Sequence, residues 1–158
     1  MVPRWRGLSW RVTRGAVLLA MVLGTSGGGA TSIVGAQEEP ILTAEIISAG
    51  RVDYADEVGG PAVITVQRIT QPPGGRSGWH VHPGPAWVIV SRGEFVYYTA
   101  DGCHTVQPAG SAFVERTGEV SNVRNEGAQE GELIVTLITP SGRQLRSDVA
   151  APTATCPQ

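Results

Sequence analysis

After residue 40 the hydrophobic positions fall in short runs rich in β-branched and aromatic residues, separated by glycine, proline and acidic turns. No stretch there keeps a helical period. The runs predict strands at 41–48 (ILTAEIIS), 62–70 (AVITVQRIT), 79–82 (WHVH), 86–93 (AWVIVSRG), 94–100 (EFVYYTA), 111–115 (SAFVE), 120–125 (VSNVRN) and 132–140 (ELIVTLITP). A turn is expected near Arg92-Gly93. Segment 71–78 reads as a loop, and 101–110 as a loop holding one short strand. Many short strands at regular spacing predict an all-β sandwich or small barrel. Phe95, Tyr97 and Phe113 are expected in the core, while Trp87 and Ile89 face the other side of their strand and are expected to pack against something else, a second subunit being compatible.

The first 36 residues differ from the rest. Arg4, Arg6, Arg11 and Arg14 precede an apolar run, GAVLLAMVLG (15–24), and small residues follow at Val34–Ala36. This is the layout of a secretory signal peptide cut before Gln37, with a second possible cut after Ala30. The alternative is an uncleaved membrane anchor, which the Gly, Ser and Thr of 24–36 weaken. The expected organisation is a signal peptide (1–36), an N-terminal strand and lead-in (37–60), one domain (61–146) and a C-terminal tail (147–158). The expected location is secreted or extracytoplasmic, or membrane-anchored if the leader stays.

Charge narrows the partners. All 12 basic residues are arginine, four of them in the leader, and all 14 acidic residues follow it. Eight arginines against fourteen acids leave a net charge of −6 after cleavage. An acidic surface argues against nucleic acid or anionic lipid as a partner. Cys103 and Cys156 both lie in the exported part, where a disulfide is the simplest state and two free thiols the alternative. The bond would tether the tail to the loop at ADGCH.

Gly74, five residues, His80-Val81-His82, three residues, Ala86, six residues and Gly93 resemble the first motif of the cupins, with alanine where that motif has a glutamate. Pro108, Gly110 and Asn125 fit the frame of the second motif, with Ser121 where it has a histidine. Around GWHVHPGP, AGSAFVE and NVRNEG the chain is also similar to small exported bacterial cupins. The resemblance implies a cupin-type double-stranded β-helix, or jelly-roll barrel. It does not imply one reaction, because the fold hosts enzymes, binding domains and storage proteins.

Residues i and i+2 of a strand point to one side, so His80 and His82 can offer two imidazoles to one ion. Two imidazoles with a carboxylate suit Fe, Mn, Zn, Ni or Cu. Glu119 is a candidate third ligand by its parity with Ser121, and Glu115 is a second candidate. Ser121, Ala86 and Trp79 are expected at or near the pocket, and His104 at the surface. No nucleophile elbow, P-loop or dinucleotide fingerprint is present. Two function classes fit: a metal-binding cupin acting on a small oxygenated molecule, or a non-catalytic ligand-binding or structural cupin whose metal site has degenerated.

Overall fold

The computed structural model describes residues 41–157; the predicted leader lies outside them. The described residues form ten strands and no helix. They are β1 (Thr43–Ala55), β2 (Gly60–Gln71), β3 (His80–Val81), β4 (Ala86–Arg92), β5 (Glu94–Thr99), β6 (His104–Pro108), β7 (Ala112–Glu115), β8 (Ser121–Arg124), β9 (Gly131–Pro140) and β10 (Ser147–Asp148). Two five-stranded antiparallel sheets result, ordered β1-β2-β9-β4-β7 and β10-β3-β8-β5-β6.

Strict alternation decides which side chains enter the space between the sheets. In β4, Ala86, Val88 and Val90 are buried while Trp87 and Ile89 are 37% and 51% exposed. In β9, Leu133, Val135 and Leu137 point the same way as the β4 core residues they face. Phe95 and Tyr97 of β5 and Val123 of β8 close the core from the second sheet, with Phe113 half-buried against it. Every large apolar residue that leaves water here gains of the order of 1.5–3 kcal/mol, which is why the period-two pattern fixes the register.

Two glycines mark where chains approach closely. Gly93 turns β4 into β5 at φ +84°, a conformation that L side chains rarely adopt, as the predicted turn requires. Gly131, at the start of β9, lies so close to the Phe95 ring that a Cβ would sit 2.5 Å from it.

The structure extends two sequence-based expectations. The first strand runs to Ala55 rather than ending near residue 48, because GRVDYA pairs with β2 although most of it is exposed. The tail contributes β10, which pairs Ser147 with Val81 and Asp148 with His80. Two residues carry too little periodicity to be read as a strand beforehand.

Phe95 is fully buried between the sheets. Phe95→Ala should therefore cost about 3–5 kcal/mol by urea unfolding, and Trp87→Ser, on the exposed face, under about 1 kcal/mol.

Candidate metal centre

His80 lies in β3 and His82 just beyond it. Gly118 N–H, in the turn after β7, donates to the His82 carbonyl at 2.9 Å, which holds that turn over the histidines. The two rings meet edge to face, with their Nε2 atoms 3.0 Å apart. Glu115, the last residue of β7, brings Oε2 to 3.3 Å from His82 Nε2 and Oε1 to 3.6 Å from His80 Nε2. One ligand atom from each of the three residues lies within 4.8 Å of the others, and all three side chains are buried.

The outer ring nitrogens settle what the inner ones offer. His80 Nδ1 is 2.8 Å from the Gly78 carbonyl oxygen, and His82 Nδ1 is 2.7 Å from the Leu145 carbonyl oxygen. A carbonyl can only accept, so each Nδ1 carries a proton, and in the neutral form of each ring Nε2 turns its lone pair inward. Two lone pairs 3.0 Å apart, beside a carboxylate, repel one another unless a cation stands among them. A shared proton or a metal ion answers that need. Orientation of a ligating imidazole by a carbonyl on its far nitrogen is also how metal-binding histidines are held.

Charge distribution favours the same arrangement. Burial holds the His80 pKa down at about 4, against the opposing pull of the Glu115 charge, so its imidazole is neutral at pH 7. Burial alone would raise the pKa of Glu115. The contacts with His82, His80 and Ser121 outweigh it and hold the carboxyl below its ordinary value. Ser121 Oγ donates to Glu115 Oε1 at 2.5 Å.

The neighbouring positions explain why Glu115 can reach this place. In the β4–β7 register Ala86 stands directly opposite Glu115. Cross-strand partners have Cβ atoms about 4.5–5.5 Å apart on one face. The carboxylate thus enters from the strand next to the one whose first residue is Ala86, and the small methyl of Ala86, fully buried, leaves it room. Ser121 is the register partner of His80 and supplies the hydroxyl.

The other expected site residues lie apart from this group. Glu119 belongs to the turn between β7 and β8, where its Oε2 accepts from the Arg116 amide at 3.3 Å and its own amide donates to the Arg116 carbonyl at 3.0 Å. It is not part of the cluster. Trp79 is half-buried and packs edge-on against Tyr98 with ring centroids 6.5 Å apart, away from the cavity lining. His104 is exposed beside Tyr98.

A strap from the C-terminal region holds the histidine segment; the sequence predicted its Cys103–Cys156 tether but not its grip on β3. Besides the Leu145 carbonyl, Arg146 Nη2 donates to the Ser77 carbonyl at 2.9 Å, β10 pairs with β3, and Val149 N–H donates to the Trp79 carbonyl at 3.0 Å. Arg146 is itself paired with Asp148. The tail then crosses Gly102, where a Cβ would meet the Ala154 carbonyl at 2.5 Å, and ends in the Cys103–Cys156 disulfide. Leu145, an apolar residue within a polar stretch, was the one available signal.

Comparisons with known proteins agree with this architecture. Residues 67–137 match the family model of the cupin domain. Among solved structures, an uncharacterized conserved protein with a double-stranded β-helix domain from Klebsiella pneumoniae is 21% identical, with 69% of this chain and 83% of that one covered at a TM-score of 0.50. A cupin domain from Bordetella pertussis is 21% identical, covering 65% and 97%, with a TM-score of 0.48. An oxalate oxidase is 22% identical, covering 54% and 46%, with a TM-score of 0.49. No curated protein matches the sequence. Likeness at this level is one of fold, and residues 67–137 form a cupin domain.

The strap makes a direct prediction. The disulfide closes a separation of 53 residues. Replacing both cysteines by serine should lower stability by up to about 4 kcal/mol in the chain-entropy model. The Val149 amide should then exchange with deuterium faster than amides of β9, as measured by NMR.

Proposed function

We propose that this cupin domain binds one divalent transition-metal ion through His80 Nε2, His82 Nε2 and the Glu115 carboxylate, as part of an exported protein that acts on or holds a small molecule. The observation that carries the reading is the pair of inward lone pairs 3.0 Å apart, each fixed by a carbonyl behind it, facing a buried carboxylate. That donor set fits a cation and suits no neutral occupant. Two imidazoles and one carboxylate are the chemistry of Fe(II), Mn, Ni, Cu and Zn sites. When bound, such an ion supplies a Lewis acid for an oxygen ligand, and iron would add reactivity toward dioxygen.

The chain's own residues do the rest. The Gly78 and Leu145 carbonyls hold the imidazoles in one tautomer. Ser121 holds the carboxylate. The aliphatic walls keep bulk water from the charged group, which strengthens every electrostatic contact inside. The arrangement favours metal binding over a degenerate site, because the carboxylate absent from position 86 is supplied from across the strand pair at position 115. Export rests on the arginine-led apolar leader and agrees with the Cys103–Cys156 disulfide.

Metal retention tests the reading. The purified chain, exposed to Fe, Mn, Zn, Ni or Cu and freed of excess ion, should hold one equivalent by mass spectrometry. His80→Ala, His82→Ala and Glu115→Gln should each lower affinity at least tenfold, while Glu119→Gln should leave it within about twofold. An ion at a hundred times its Kd should stabilise the fold by about 2.7 kcal/mol. Loss of metal in Glu119→Gln with retention in Glu115→Gln would overturn the assignment.

A further inference from the structure

The cluster opens into a cavity of about 150 Å³ between the two sheets. At roughly 15–30 Å³ per small group, that is room for about five to ten non-hydrogen atoms. Its wall is aliphatic, formed by Ile69, Val88, Val123, Leu133, Val135 and Leu137 among others. Few polar groups reach it, and most of those are already engaged. Ser77 Oγ exchanges hydrogen bonds with the Gly78 carbonyl, Asn122 and the Val123 amide. Gln71 Nε2 donates to the Val123 carbonyl at 3.3 Å, while its buried Oε1 has no hydrogen-bond partner. The Arg146 guanidinium is paired with Asp148 and bonded to the Ser77 carbonyl.

Polarity is therefore concentrated at one end. With a divalent ion between neutral imidazoles and one carboxylate, that end carries a net charge of about +1 and calls for one anionic oxygen donor. A second carboxylate on the same molecule would lie among mostly aliphatic side chains with no unpaired cation on the wall, and a polyol would find few partners there beyond Gln71 Oε1 and Gln67.

We infer that the cavity takes a short-chain aliphatic monocarboxylate, its carboxylate at the His80–His82–Glu115 end and its alkyl group along the aliphatic wall. This rests on the metal-binding reading above and names the ligand class of the same site. It also separates this chain from what a dicarboxylate-binding protein would need.

The test is calorimetric titration of the full chain loaded with the ion it retains best, using acetate, butyrate, isovalerate and succinate as probes. Affinity should rise about fourfold for each added methylene from acetate to butyrate and should not fall at isovalerate. Succinate, with the carbon count of butyrate, should bind at least tenfold more weakly than butyrate. A chain that takes up no metal overturns the reading on which the inference rests. A chain that takes up metal yet binds acetate as tightly as butyrate, or succinate as tightly as butyrate, overturns the ligand class and leaves the metal site standing.

Discussion

A carboxylate inside an aliphatic barrel is stable only if something nearby compensates its charge, and the interior of this protein is arranged around that requirement at Glu115. Removing such a group from water costs several kcal/mol even after relaxation. The compensation visible in the structure comes from the opposite sheet: Ser121 on β8 donates its hydroxyl, and His80 and His82 face the same carboxylate. A neutral imidazole at either position has no N–H left for Glu115, because its ring proton is spent on a backbone carbonyl behind it. The remaining need is for positive charge, and that need is what suits the cluster to a cation.

The compensation depends on register. Glu115 enters the barrel because β7 is paired so that Glu115 meets Ala86 and Val114 meets Trp87. A slip of one residue would turn Glu115 to solvent and bring Val114 inward. The histidines depend on less secure pairing, since β3 has two residues and one register partner in β8. An element that short does not hold itself. It is gripped on its other side by β10 and the Leu145 carbonyl, and the segment that supplies both is anchored at its end by the disulfide. The covalent bond near the C-terminus and the ring orientation of His82 are thus linked by one continuous strap.

Much of this was legible in the chain. The long strands show because one face of each is buried, and burial writes a period of two into the sequence. His80 and His82 show because two identical ligands at i and i+2 on a strand share a face. The carboxylate was harder to place. Parity with Ser121 drew attention to Glu119, but alternation holds only within a continuous strand, and β7 ends at Glu115 before a turn through Gly118 to β8. Glu119 lies in that turn and uses its carboxylate to cap it. The carbonyls of Gly78 and Leu145 left no trace, because a backbone acceptor is the same in every residue.

Counted position by position, the resemblance to the cupin motifs loses two ligands, at Ala86 and Ser121. In space both positions adjoin Glu115, which stands opposite Ala86 and accepts from Ser121. A glutamate at 86 together with Glu115 would place two carboxylates on neighbouring strands in one buried volume, where like charges cannot both ionise without a raised pKa. Alanine at 86 is the residue that Glu115 tolerates opposite it. Serine at 121 is small enough to stand beside the carboxylate and still donate to it, which a third inward imidazole lone pair could not do. The product is a site with three protein donors in place of the four that the motifs imply. A cation held by fewer protein donors keeps more of its coordination for an outside oxygen ligand, and the aliphatic cavity beside Glu115 is where such a ligand would lie.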